Sequence, residues 1–301
     1  MWLTLAFVSA VLLGFYDVAK KSALHGNAVL PVLLLNTFFS SLVFLPFIVL
    51  SALTPETMQA HPALYVPAAG WEVHAKIVLK SVIVLTSWIF GYFGLKHLPL
   101  TIVGPINATR PVMVLVGAML LFGERLNLWQ WAGVLLGVTS FFMLSRSGKK
   151  EGIDFRRDKW ILFVVIAAVA GAVSGLYDKY LMRDLAPMLV QSWYNVYQLG
   201  IMGVVIAALW WPSRNKTTPF KWRWSIPLIS ILLCAADFAY FYSLSLPDSM
   251  ISVVSMIRRG SVVVSFGFGA LLLREKNLKS KAFDLALVLI GMVFLWWGSR
   301  G

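Results

Sequence analysis

Apolar runs of about twenty residues, the length a helix needs to cross a bilayer, recur along nearly the whole chain. No other feature narrows its fold as far. Ten such runs are predicted as spans: 2–23, 29–50, 77–95, 100–122, 128–144, 159–182, 187–211, 224–244, 248–273 and 282–297. Composition agrees. Of 301 residues, 59% are apolar and only 13% charged, against about 25% charged in soluble domains. A transmembrane β-barrel needs alternating segments of about ten residues instead. The expected fold is therefore an all-α membrane protein. The longest loop between spans, 51–75, carries Pro55, Pro62 and Pro67 and is expected to be solvated, or to cover one mouth of the protein.

The net charge of +13 invites a nucleic-acid reading, but its placement does not support one. Most Lys and Arg lie in short loops between spans, where membrane topology puts them. One face of the membrane collects 17 of them, the other 6, and three lie deep within helices. Positive charge favours the cytoplasm, so both termini are expected outside it. The single cysteine, Cys234, lies inside a span and rules out an intrachain disulfide. No metal-ligand spacing or Gly-rich phosphate loop is present, so neither a cofactor nor an enzyme is expected.

The two halves repeat each other. Gly14-Phe15-Tyr16-Asp17 in the first span returns as Gly175-Leu176-Tyr177-Asp178 in the sixth. Leu98-Pro99 before the fourth span returns as Leu246-Pro247 before the ninth, and Tyr92-Phe93 returns as Tyr240-Phe241. Residues 1–148 and 159–301 are thus read as five-helix units joined by a basic cytoplasmic linker, 149–158. Five is odd, so the halves must be inverted, which places a site between them at mid-membrane.

Three arginines mark that site. Arg110 is predicted near the middle of the fourth span, and Arg258 and Arg259 lie in the ninth. An arginine at that depth costs roughly 2.5–3.5 kcal/mol on insertion scales, so something must offset it. One reading is an anion site, since guanidinium forks bind carboxylate or phosphate and stay charged. The other is a set of structural pairs with buried aspartates. Adjacent helical residues diverge by about 100°, so only one of Arg258 and Arg259 is expected to face a cavity squarely. Asp237 is the expected partner of one of them, one turn from Tyr240. Asn107 lies one turn before Arg110. Trp88 and Tyr92 share a face of the third span and can flank a ligand, although packing explains them too. Asp17 and Asp178 are expected to gate opposite mouths, each in an ion pair or carrying a coupling proton. Alternatively, Lys20 and Lys21 neutralise the first, and Lys179 and Arg183 the second. Glu124 and Glu275 are expected to meet loop bases. Gly171-x-x-x-Gly175 permits close helix packing, and Gly133-x-x-x-Gly137 offers a face for a possible homodimer.

The five-plus-five repeat, the glycine-aromatic turn followed by Lys21, Leu98-Pro99 and the Gly123-Glu124-Arg125 ending together resemble the drug/metabolite transporter superfamily, and within it the ten-helix EamA-like family. The resemblance spans the full length. It implies secondary transport of small organic solutes through a cavity lined by the first, third, fourth, sixth, eighth and ninth helices. Organophosphate translocators of the superfamily look similar in carrying a basic pair in the ninth helix. Two departures stand out: members usually have cytoplasmic termini, and the first span here lacks the glutamate of the small multidrug exporters. The expected function is transport of a small anionic metabolite, phosphorylated or carboxylated, or of an amino acid, across a bacterial inner membrane. A flippase for an anionic lipid-linked headgroup and a metabolite sensor without flux are the alternatives. Expected partners are the solute and membrane lipid, with no nucleic acid.

Overall fold

The computed structural model describes residues 1–97, 106–107, 109–146, 159–216, 218–261, 263–264 and 278–299. Leu98-Pro99, the linker 149–158 and Arg274-Glu275-Lys276 lie outside them. The described secondary structure is entirely helical: α1 (Trp2–Leu24), α2 (Val29–Leu53), α3 (Pro55–Gln59), α4 (Trp71–His97), α5 (Arg110–Phe122), α6 (Leu128–Arg146), α7 (Lys159–Asp184), α8 (Pro187–Val205), α9 (Ser225–Ser245), α10 (Ile251–Arg259) and α11 (Leu278–Gly298). A π turn and a 3₁₀ turn prolong α8.

Among the described residues, six helices are long and apolar enough to cross a membrane: Trp2–Leu24, Val29–Leu53, Trp71–Gly94, Lys159–Asp184, Pro187–Asn215 and Ser225–Ser245. Arg110–Phe122 and Ala286–Gly298 are shorter apolar helices. Large apolar side chains such as Leu42, Leu79, Leu120 and Val204 are exposed on helix surfaces. In water such a surface would aggregate; against lipid tails it is the matched boundary.

The most extensive helix packings all join the two halves: α1 on α9, α4 on α7, α6 on α11 and α2 on α8. Lipid tails are as apolar as leucine, so close fit and interhelical hydrogen bonds hold such helices together. Ser9 Oγ donates to the Ala236 carbonyl across α1–α9, Ser87 Oγ to the Ala167 carbonyl across α4–α7, and Ser41 Oγ to the Asn195 carbonyl across α2–α8, each at 2.8 Å. A Cβ on Gly133 would lie 2.7 Å from the Gly291 carbonyl oxygen of α11, and one on Gly137 would lie 2.9 Å from Met256 Sδ. The glycine face proposed for a homodimer is therefore taken up inside the chain.

Three expectations need correction here. Arg110 is not in mid-helix: α5 begins with it, and Pro111 sits in the first turn, where a missing N–H costs nothing. Left-handed Gly123 (φ 65°) ends that helix. The described partners of Glu124 are not loop bases: Lys179 of α7 lies within its electrostatic reach, and its carboxylate accepts the Ile251 N–H at 2.7 Å, the Ser252 N–H at 3.2 Å and the Ser252 hydroxyl. It thereby caps α10, whose first N–H groups have no partner within the helix. Loop 51–75 is not simply solvated. It forms α3, buries Met58 and Val66, and is tied down by the Tyr242 hydroxyl donating to the Ala63 carbonyl at 2.6 Å.

Candidate functional site

A cavity of about 340 Å³ lies where the halves meet. That is at the small end of the roughly 300–1,000 Å³ typical of ligand pockets. One face of each helix builds it. On α4 the sequence places Lys80, Val84, Ser87, Trp88, Gly91 and Tyr92 on a single helical stripe, and all six line the wall. Helix α1 contributes Tyr16, Asp17 and Lys20, and α7 contributes Gly171, Ser174 and Asp178. Helix α9 brings Asp237 and Tyr240, α10 brings Arg258 and Arg259, Arg110 enters from the start of α5, and Asn107 precedes that helix. Every residue singled out from sequence for binding or gating is here.

At one end, Lys80 and Asp178 form an ion pair with side chains only 2% and 7% exposed. The Tyr240 hydroxyl donates to the other Asp178 oxygen at 3.1 Å. The Lys80 ammonium also lies over the Tyr194 ring at 4.7 Å and the Phe241 ring at 5.0 Å. A buried charge pair survives only when its remaining hydrogen-bonding capacity is met, and carboxylate, phenol and ring faces meet it here. Lys179 does not neutralise Asp178: its ammonium donates to the Ser249 hydroxyl and carbonyl, both at 2.6 Å. Arg183 lies over the Phe122 ring instead, at 4.6 Å.

Arg258 adjoins this cluster through Tyr240, and the other basic groups lie farther along the cavity. Arg258 donates to Asp237 at 2.6 Å and stacks 3.9 Å from the Tyr240 ring centre, as the structural-pair reading expected. Both Arg258 and Arg259 reach the cavity, because they sit at the last turn of α10, where long side chains can converge. Arg110 donates from Nη2 to Ser87 Oγ at 2.6 Å and to the Ala167 carbonyl at 3.1 Å. Its guanidinium lies where a Cβ on Gly171 would be, 1.1 Å from that position. Gly171 is thus a cradle for a cation as well as a packing residue. Among the described residues no carboxylate pairs with Arg110, and its buried Nε has no hydrogen-bond partner. Asp17 accepts from Ser261 Oγ at 3.4 Å. The Lys20 ammonium lies 4.6 Å from the Tyr92 ring centre and 5.2 Å from that of Tyr16.

Lys80 and Lys20 were missed as site residues. Lys80 lies near the start of its span and falls among the six cations of the less basic face. Running the Trp88 stripe back one turn to Val84 and a second to Lys80 would have found it. Removing it from the loop count also sharpens the charge asymmetry between the two faces.

An all-helical bundle with apolar outer faces around a charged cavity at the seam of two related halves is the architecture of a multi-pass membrane transporter. Residues 1–146 and 158–297 match the model of the EamA-like transporter family, and the chain belongs to that family. The family places it in the drug/metabolite transporter superfamily, whose members are transporters rather than enzymes. No curated protein matches the chain in sequence. Among matching solved structures, one described as a crystal structure of a protein has a TM-score of 0.72, covering 99% of this chain and 97% of its own at 16% identity. That likeness shows the shared fold.

Proposed function

We propose that the chain is a secondary transporter that moves a small organic anion, phosphorylated or carboxylated, by alternating access around this cavity. The observation that carries the reading is Arg110, a cation that lines the cavity with no carboxylate beside it among the described residues. The charge balance supports it. Five basic side chains and three acidic ones are among the described lining residues. Lys80 and Arg258 are matched to Asp178 and Asp237, and Asp17 lies near both Lys20 and Arg259, so three cations share one carboxylate and a surplus of two positive charges, centred on Arg110 and Arg259, remains to receive the anion. Asn107 can donate to it, and Trp88, Tyr92 and Tyr240 can flank its organic part. An amino acid fits through its carboxylate, with Asp17 near its ammonium.

The mid-membrane placement rests on ten spans arranged as two inverted five-helix repeats, residues 1–148 and 159–301. The helix pairing supports this arrangement. Exchanging the halves turns the α1–α9 contact into the α7–α4 contact and leaves α2–α8 and α6–α11 paired. Arg110 and Arg258 lie at the same offset from Leu98 and Leu246. In alternating access, the Lys80–Asp178–Tyr240 cluster is the closed gate at one mouth, and Asp17 with its neighbours belongs to the other. The excess of loop cations supports an orientation with the Asp17 mouth toward the cytoplasm of a bacterial inner membrane and both termini outside.

The test is thermal stabilisation of the purified protein by phosphorylated, carboxylated, zwitterionic, neutral and cationic metabolites. A ligand at 100 times its Kd adds about 2.7 kcal/mol to the folded state. Stabilisation by one anion class, lost in both Arg110→Ala and Arg259→Ala, is the expected result. Stabilisation by neutral or cationic compounds that both variants retain would overturn the anion site. Flux of the same ligand into proteoliposomes separates a transporter from a sensor.

A further inference from the structure

A second cavity, of about 470 Å³, lies beside the first and has the opposite chemistry. Phe7 and Val11 of α1, Val263 and Val264 beyond α10, and Met292 and Trp296 of α11 are among its walls. Every described lining residue is apolar or glycine. The cavity is continuous with the lipid-facing surface, because Val11, Leu289 and Val293 at its rim are 44%, 49% and 55% exposed. Both cavities therefore share α1 and the segment around Gly260.

On the α1 side the partition between them is one helix thick. Along α1, Ala10 and Val11 face the apolar cavity while Leu13 and Asp17 face the charged one. In the other strand of the wall, Arg259 and Ser261 line the charged cavity and Gly260, Val263 and Val264 the apolar one. Two glycines keep the wall this thin. A Cβ on Gly14 would lie 2.4 Å from Val264 Cβ and 2.9 Å from the Ser261 carbonyl oxygen, and one on Gly260 would strike the Met292 methyl.

We propose that the apolar cavity holds the hydrocarbon chain of an amphiphilic anion drawn from the surrounding leaflet, whose head group enters the charged cavity when α1 and the segment after α10 part at the Gly14–Val264 contact. The proposal rests on the anion reading of the charged cavity and adds a site for the chain. A hydrocarbon chain leaving the bilayer for this cavity exchanges one apolar medium for another. The selective term is therefore the head group, and Arg259, the residue before Gly260, stands immediately across the wall to receive a negative one. The cavity has no polar side chain among its described residues to hold a head group of its own.

The experiment uses the full chain in lipid nanodiscs and a dodecyl phosphate carrying a diazirine in mid-chain, with crosslinks mapped by peptide mass spectrometry. Labelling concentrated on Phe7, Val11 and Met292, competed by dodecyl phosphate and not by dodecanol, is expected. Val11→Trp and, independently, Val293→Trp fill the cavity from its exposed rim. Each should cut labelling severalfold while leaving stabilisation by ethyl phosphate unchanged. Labelling that dodecanol competes equally, that spreads evenly over the lipid-facing helices, or that survives both tryptophan variants would overturn the chain site. Ethyl phosphate binding lost in Arg110→Ala keeps the anion reading standing in that event. Absence of any ethyl phosphate binding that depends on Arg110 would instead remove the anion reading beneath it.

Discussion

The two ends of the charged cavity answer the same problem differently. Around Lys80 and Asp178, each charge has an opposite charge, and tyrosine and aromatic faces fill the remaining positions. Around Arg110, the described partners of the cation are a serine, a backbone carbonyl and the bare face of a glycine, and one buried nitrogen is left over. The first arrangement is complete without a ligand and the second is not. A charged membrane residue is thus diagnostic of binding only after its partners have been counted.

Breaking the complete end should have the larger effect. Lys80→Met leaves Asp178 buried without its cation and should cost about 3–5 kcal/mol of stability. The double variant Lys80→Met/Asp178→Leu should recover most of that loss. Thermal unfolding of the three proteins in one detergent checks this, and a double variant no more stable than the single would mean that the pair is not an isolated charge unit. At the incomplete end, Arg110→Ala should leave folding nearly intact and weaken anion binding by about 1.5–3 kcal/mol, the range for hydrogen bonds to charged groups. Gly171→Ala sharpens the point, because the added methyl must move the guanidinium while leaving its charge in place. It should weaken binding by roughly tenfold, about 1.4 kcal/mol, read by titration of the same ligand. Unchanged affinity would show that the cradle does not set the cation's position. The smallest effect belongs to Glu124→Ala, which removes the α10 cap and should cost about 1 kcal/mol of stability. Restoration by Glu124→Asp would tie the loss to capping.

The arginines were legible because a guanidinium inside an apolar run is conspicuous, and the Trp88–Tyr92 face followed from helical spacing alone. That Asp237 pairs with one of the two ninth-span arginines was legible as well, since all three are charged and deep; which one was not. Lys80 was not, because a lysine a few residues inside a span end reads as an interfacial anchor. Its partner, Asp178, is 98 residues away, so no local pattern joins them. The role of Glu124 was hidden for the same reason: it caps a helix that begins 127 residues later. Helix existence followed from hydropathy, whereas the point at which α5 starts depended on Pro111, a local signal that the apolar run obscured.

That the principal partner of each long helix lies in the other half has a consequence for synthesis. At roughly 5–20 residues per second, the 98 residues between Lys80 and Asp178 take several seconds to emerge. Throughout that interval the newly made first half holds an ammonium whose carboxylate has not yet been translated. The first half of the chain therefore cannot reach its final packing as an independent unit. Until α7 arrives, the lysine must be kept hydrated at the membrane surface or shielded by the insertion machinery, and the order of translation becomes part of how this molecule is assembled.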